Sequence, residues 1–142
     1  MKKFEDFDIS EIDDIIDTNL KGTIYCTLES IKNMNFGRII NISSVSGIHG
    51  IENQSVYSAS KYGVNGFSES LNQEVIKRGI SISTICPGGI NTPLWNKNNI
   101  YPGDTGKILQ SLDIVNIMQY IINLPHNVIM KQIIMFPECE WH

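Results

Sequence analysis

The strongest constraint on this chain is the alternation of short β-branched segments with longer segments of helical periodicity. "GRIINISSVSG", residues 37–47, is too short for a helix and too continuous in apolar residues for a half-exposed strand, so it predicts a buried parallel strand that ends in a polar loop. Apolar residues recur every three or four positions over about 10–33 and 57–78, and 106–124 also predicts a helix. This order predicts right-handed crossovers and a parallel sheet covered by helices on both faces.

Local signals predict where these elements begin and end. Ser10, with Asp13 three residues later, predicts the cap of the first helix, and Gly79 predicts the end of the second. The strand at 80–89 closes with Pro and Gly, and "KQIIMFP", 131–137, predicts a last strand. We therefore expect an α/β fold with about three strands and three main helices.

Composition and charge indicate a folded domain and argue against some classes of binding partner. With 42% hydrophobic and 18% charged residues, the 142-residue chain is expected to fold as one domain. A net charge of -4 and eleven scattered Lys and Arg residues argue against nucleic acid. The acidic run over 5–17 is interpreted as a solvated face.

Compartment is inferred from cysteines and from apolar runs. The three cysteines form no CxxC pair and lack metal-ligand spacing to the histidines, so we expect a reduced cytoplasm and no metal. The first twenty residues do not resemble an export signal, and no apolar run approaches the ~20 residues that span a bilayer. No membrane partner is expected.

"VYSASKYGVNGF", residues 56–67, places Tyr57 and Lys61 four positions apart, which is about one helical turn. An ammonium close to a phenol lowers the tyrosine pKa from about 10 toward the range of an acid and base catalyst. The alternative is an amphipathic helix that exposes both side chains, and for an isolated YxxxK pair this alternative is favoured.

Two polar loops, "SSVSG" and "CPGGINT", follow predicted parallel strands. Ligands of open parallel sheets bind beyond the carboxyl ends of the strands, so the candidate site is a crevice shared by 43–61 and 86–92. A hydroxyl of Ser43 or Ser44 is placed to hydrogen-bond the carbonyl oxygen that Tyr57 protonates. Together these groups would polarise a ketone or an aldehyde.

The ordered set "TNLKG", "GRIINISSVSG", "YSASK" and "CPGGINT" resembles the short-chain dehydrogenase/reductase family over about 10–137. The resemblance implies a doubly wound, Rossmann-like parallel sheet. It also implies an NAD(P)-dependent oxidoreductase that transfers hydride between nicotinamide and a carbonyl or alcohol carbon of a small molecule. The tail "LPHNVIMKQIIMFP" is similar to members that use NADP, which is slightly favoured over NAD.

The resemblance assigns catalytic roles residue by residue. Tyr57 matches the catalytic tyrosine, and Lys61 matches the lysine that lowers the tyrosine pKa and binds the nicotinamide ribose. Ser44, thirteen positions before Tyr57, matches the catalytic serine better than Ser43 does. Asn19 matches an asparagine that holds a water between the lysine and a proton relay, and its alternative is a polar residue that kinks the helix.

The second polar loop resembles the loop that contacts the cofactor. Backbone groups near Ile90 would bind the nicotinamide carboxamide, and Thr92 would supply a hydroxyl. Pro87 and Gly88 belong to the same loop motif, although Pro-Gly-Gly read alone indicates an ordinary turn.

Substrate contacts are predicted in two further places. Leu94, Trp95 and Tyr101 lie in the segment that matches the variable substrate loop, and they would line an apolar pocket or anchor that loop on the sheet. His49 follows the serine loop where family members contact substrate, and its alternative is a solvated loop residue.

The glycine-rich turn that binds the dinucleotide in this family does not occur in the sequence. We therefore expect 1–142 to be a partial domain, with an apolar sheet edge at "RIINIS". The alternative function is an inactive fragment, or an interaction module that associates through its long helices. In the family these helices build a dimer interface, so a homo-oligomer, dimer or tetramer, is expected.

Overall fold

The structure is a computed structural model that describes residues 2–95 and 100–140. Its helices and strands alternate as the sequence predicts. The helices are α1 (Ile9–Ile16), α2 (Gly22–Asn33), α3 (Ser55–Val75) and α4 (Ser111–Ile122). The strands are β1 (Gly37–Ile42), β2 (Ile80–Pro87), β3 (Ile90–Asn91), β4 (Leu109–Gln110) and β5 (Gln132–Met135).

The main sheet has the order β1-β2-β5, and both strand pairs are parallel. This confirms the predicted α/β class and the parallel three-stranded sheet. The central strand β2 is buried along its whole length. β1 lies at an edge of the sheet, as expected for "RIINIS". It is therefore mostly half-buried, and not buried as the apolar pattern of 37–47 indicates, and Ile42 is 38% exposed.

Helices cover both faces of the sheet, as predicted. On one face Val75 of α3 packs against Ile80 and Ile82, with Ile31 of α2 beside them. On the other face Ile114 and Ile121 of α4 pack against β2. Side chains of successive strand residues point to opposite faces, so Ile80 and Ile82 belong to one cluster and Ile85 to the other. The polar residues of β2, which are Ser81, Ser83 and Thr84, are buried as well.

Two element starts differ from the predictions. The capping box of α1 is formed by Asp8 and Glu11, whose carboxylate accepts the Asp8 N–H at 2.9 Å. The predicted cap at Ser10 was wrong, because Ser10 already lies inside α1. The helix predicted from 106 begins at Ser111, because Leu109–Gln110 pair with Ile90–Asn91 as a second, two-stranded parallel sheet.

The helix predicted over about 10–33 is continuous from α1 to α2 but contains a π-helical turn at Asp17–Lys21. The Gly22 N–H donates to the carbonyl of Asp17, five residues earlier. Across this turn, a Cβ at Gly63 of α3 would lie 2.8 Å from a methyl carbon of Leu20, so the two helices approach closely there. The turn therefore places Asn19 beside α3.

Candidate active site

The serine loop follows β1 and lies against the carboxyl end of β2. The Ser43 N–H donates to the Ile85 carbonyl at 2.8 Å, which extends the pairing of the strands by one residue. The chain then enters a short 3-10 helix at Val45–Gly47, and the Ser44 hydroxyl caps it by accepting the Ser46 N–H at 3.1 Å. Ser44 is buried and held in place by the backbone that follows it.

Gly47 allows the serine loop to lie close to α3. A Cβ at this position would lie 2.7 Å from the Lys61 carbonyl oxygen, so the loop approaches the helix at the turn that carries Lys61. The Ser43 hydroxyl donates to the same carbonyl at 3.1 Å, and the Asn65 amide donates to the Gly47 carbonyl at 2.9 Å. Sequence reasoning missed Gly47 and Asn65; the available signal was the small residue closing "SSVSG".

Tyr57, Lys61 and Ser44 meet at the start of α3. The Lys61 ammonium lies 5.7 Å from the centroid of the Tyr57 ring and donates to the Ile42 carbonyl at 3.2 Å. The Ser44 side chain hydrogen-bonds Tyr57. The structure therefore brings together three side chains that the sequence separates by seventeen positions.

The protonation of this cluster follows from burial. Burial raises the pKa of Tyr57 above its usual value, and the hydrogen bond from Ser44 lowers it in part. The predicted lowering of the Tyr57 pKa by Lys61 was wrong, because the ammonium lies over the ring and its hydrogen bond goes to Ile42. Tyr57 is consequently a protonated phenol at neutral pH, the form that donates a proton.

Burial also lowers the pKa of Lys61 below its usual value, and the electrostatic interaction with the Cys86 side chain partly offsets this. Burial raises the pKa of the Cys86 thiol, which Ser43 and Asn65 hydrogen-bond. In this partly buried setting, an opposite charge or a hydroxyl acceptor would stabilise the ammonium form of Lys61 most.

Asn19 reaches the cluster indirectly. Its side-chain amide donates to the Ser60 hydroxyl at 3.2 Å, and that hydroxyl donates to the Tyr57 carbonyl at 2.6 Å. The backbone carbonyl of Asn19 accepts a hydrogen bond from the Thr23 hydroxyl at 2.8 Å. Asn19 thus supports the backbone of Tyr57 from within the π-helical turn, a position that also agrees with its alternative as a helix-distorting residue.

The loop predicted to contact a cofactor leaves the buried end of β2 at Pro87. The Gly88 N–H donates to the Met135 carbonyl of β5 at 2.7 Å. The Trp95 indole donates to the Ile90 carbonyl at 2.8 Å, and the Trp95 backbone N–H donates to the Thr92 carbonyl at 3.1 Å. Through these two hydrogen bonds Trp95 anchors the loop, which is one of the two roles that the sequence predicted for it.

The remaining predicted substrate residues lie further out. Leu94 is 61% exposed, and the His49 side chain is exposed while its backbone N–H donates to the Val45 carbonyl. Tyr101 packs edge-on against Trp95, with ring centroids 5.2 Å apart. Contacts of a substrate with Leu94 and His49 stay predictions.

Within residues 2–95 and 100–140, no group of three His, Cys, Asp or Glu side chains is arranged to hold a metal ion. In the same part of the chain, no helix is both long and apolar enough to cross a membrane. Cys26, Cys86 and Cys139 are free thiols.

The fold and the Ser-Tyr-Lys cluster define a Rossmann-like α/β protein with an arrangement suited to carbonyl chemistry. The profile of the short chain dehydrogenase family matches residues 1–101. The chain therefore belongs to the short-chain dehydrogenase family.

Similar proteins agree with this family. An uncharacterized oxidoreductase of Staphylococcus aureus is 32% identical over 138 residues, which cover 95% of this chain and 58% of that protein. The 3-oxoacyl-[acyl-carrier-protein] reductase of Rickettsia conorii is 45% identical over 100 residues, which cover 68% of this chain and 39% of the reductase. The closed form of serine dehydrogenase complexed with NADP+ has a TM-score of 0.89 at 26% identity, covering 100% of this chain and 62% of that one. The chain thus spans less than two thirds of these relatives.

Proposed function

We propose that this chain carries the catalytic part of an NAD(P)-dependent oxidoreductase that transfers hydride between a nicotinamide and a carbonyl or alcohol carbon. The observation that carries the proposal is the contact of Ser44 with Tyr57, with the Lys61 ammonium over the same ring. The cluster lies at the carboxyl end of β1, the edge where open parallel sheets bind ligands.

Proton transfer is the task of Tyr57. In the direction of carbonyl reduction its neutral phenol donates a proton to the carbonyl oxygen, and the Ser44 hydroxyl donates a hydrogen bond to the same oxygen. In the reverse direction the tyrosine accepts the alcohol proton. Because Ser44 is held by the Ser46 N–H, it is oriented before the substrate arrives.

The residues fit the nicotinamide end of a dinucleotide. Among the residues that the structure describes, the Lys61 ammonium makes one hydrogen bond, so it has donors left for ribose hydroxyls. The Ile90 carbonyl accepts one bond from Trp95, and its second lone pair can accept from a carboxamide. When bound, the nicotinamide supplies or accepts the hydride.

The sequence contains no glycine-rich turn for a pyrophosphate, so the proposed fit covers the nicotinamide end alone. One similar structure is complexed with NADP+ and another with NADH, so the proposed slight preference for NADP over NAD is based on the sequence of the tail. A small carbonyl or alcohol is the proposed substrate class. The three free thiols support the cytoplasm as the working compartment.

A second candidate function is an interaction module without activity of its own. Large apolar side chains are exposed on the long helices, among them Ile9 at 78%, Tyr25 at 61%, Leu28 at 48% and Tyr62 at 47%. Such faces favour association with a second copy or with a longer relative, as a dimer or a tetramer.

A thermal melt with excess NADPH or NADH separates the two candidates. A ligand that binds the native state alone stabilises it by RT ln(1 + [L]/Kd), about 2.7 kcal/mol at a hundred times Kd. A transition that shifts with a cofactor supports the oxidoreductase, and a transition indifferent to both cofactors supports the interaction module.

For a cofactor-binding chain, we predict that Tyr57→Phe lowers the rate of carbonyl reduction by at least about 100-fold, because general acid catalysis contributes ~100-fold to ~10,000-fold. The melting temperature should change little. Tyr25→Phe is the matched control, since Tyr25 is exposed on α2. Undiminished turnover in the Tyr57 variant would show that the assigned proton donor is wrong.

A further inference from the structure

The two glycines after Pro87 are explained by a side chain that lies against them. Neither has a positive φ; the glycines that do, among the described residues, are Gly37 and Gly79. A Cβ on Gly88 would lie 2.4 Å from Oε2 of Glu140, and a Cβ on Gly89 would lie 2.5 Å from Oε1. The missing side chains therefore make room for one carboxylate.

The Glu140 carboxylate connects three parts of the fold. Its Oε2 accepts the Gly89 N–H at 3.0 Å, and its Oε1 accepts the Tyr101 hydroxyl. Tyr101 in turn packs against Trp95, whose indole bonds the Ile90 carbonyl. Both carboxylate oxygens thus act on the loop at 88–92, one directly and the other through two aromatic rings.

The partner of this carboxylate remains a donor at neutral pH. Burial and the neighbouring Glu140 carboxylate both raise the pKa of Tyr101. A phenol that stays protonated can donate to Glu140 throughout the physiological range. A hydrogen bond to a charged acceptor is stronger than one between neutral groups, so a carboxylate suits this position.

We propose that Glu140 is a positioning residue that holds the loop at 88–92 through the Gly89 N–H. The ligand that this loop serves, a nicotinamide carboxamide, rests on the proposed function, whereas the positioning itself rests on the contacts of Glu140. Glu140 contacts neither Tyr57 nor Lys61 among the described hydrogen bonds, so it acts through the backbone of the loop.

Amide hydrogen exchange of Gly89, measured by NMR on the full chain, tests the positioning without any cofactor. Glu140→Ala should accelerate Gly89 exchange by about tenfold to a hundredfold, the range expected for a lost hydrogen bond to a charged group. Glu140→Gln keeps an oxygen acceptor and should remain within about fivefold of the wild type. Glu138→Ala, in the same short helix, is the matched control.

Two further variants keep the test decisive if Glu140→Ala folds poorly. Gly89→Ala should displace the carboxylate and lower the Tyr101 pKa in a spectroscopic titration of the phenols, although Glu140 is intact. Tyr101→Phe should preserve the Gly89 bond. If Gly89 exchange is unchanged in Glu140→Ala, or equally fast in Glu140→Gln, the proposal is overturned.

Cofactor binding is measured on the same proteins so that the two proposals fail separately. If the wild type binds NADPH, Glu140→Ala should weaken the Kd by about tenfold and Glu140→Gln by much less. Equal affinity in wild type and Glu140→Ala would contradict a positioning role. If the wild type binds neither cofactor, the proposed function fails in this chain, and the Gly89 exchange still decides whether Glu140 positions the loop.

Discussion

Two opposing effects, burial and a hydrogen bond, set the pKa of Tyr57. Spacing along the helix predicts an ammonium nearby, and the structure confirms that Lys61 lies over the ring. Burial nevertheless dominates, and it raises the tyrosine pKa, while the Ser44 hydroxyl is the group that lowers it. Tyr57 is therefore a protonated phenol at neutral pH.

The pKa of Tyr57 gives a prediction at this scale. Ser44→Ala should raise it further, because the hydrogen bond that stabilises the phenolate is lost. The phenolate absorbance of each protein, minus that of its Tyr57→Phe counterpart, isolates this residue from the other tyrosines. Ser43→Ala is the matched control, since the Ser43 hydroxyl donates to the Lys61 carbonyl. A lower Tyr57 pKa in Ser44→Ala would contradict the assignment.

Among the elements, the serine loop and α3 form the unit that creates the site. The loop carries Ser44, the helix carries Tyr57 and Lys61, and Gly47 allows their backbones to touch. The π-helical turn has a comparable role on the other side of α3, because it directs Asn19 toward Ser60. The serine loop at Gly47 and the π-helical turn at Asp17–Lys21 thus both contact the first two turns of α3, which carry Tyr57 and Lys61.

Gly47 supports a prediction at the scale of these elements. Gly47→Ala would place a methyl group 2.7 Å from the Lys61 carbonyl oxygen, and overpacking of this kind costs about 1–3 kcal/mol of unfolding free energy. The midpoint of urea unfolding measures the loss. Gly50→Ala is the control, because a Cβ there meets nothing within 4 Å and should change stability by less than about 0.5 kcal/mol. Equal midpoints in both variants would argue against a close contact at Gly47.

At the scale of the whole molecule, the described residues place β1 at an edge of the main sheet. In the part of the chain that the structure describes, β2 is the neighbour of β1 on one side, and β1 pairs with no other strand. The amides of Gly37 and Ser43 point toward β2. Because strand residues alternate, those of Arg38, Ile40 and Ile42 point away from it. An edge of this kind favours pairing with another chain.

Hydrogen exchange at increasing protein concentration tests this edge. At low concentration the outward amides of Arg38, Ile40 and Ile42 should exchange at least about tenfold faster than those of Ile39, Asn41 and Ser43. If copies pair through β1, the outward set should become protected as concentration rises. Uniform protection at every concentration would show that the edge is covered within one chain. The inward set is the internal control.

The sequence by itself determined the α/β class, the element order, the end at Gly79 of the helical segment that contains α3, and the Tyr57–Lys61 pair. Each depends on periodicity or on backbone preferences of neighbouring residues. The approximate place of Ser44 followed from a polar loop after a strand. Tertiary structure decided what depends on contacts between distant segments: the pKa direction of Tyr57, the role of Gly47, and the carboxylate of Glu140 beside Gly89. Burial and close approach join residues that no local pattern connects, and for that reason their effects were visible only in the folded chain.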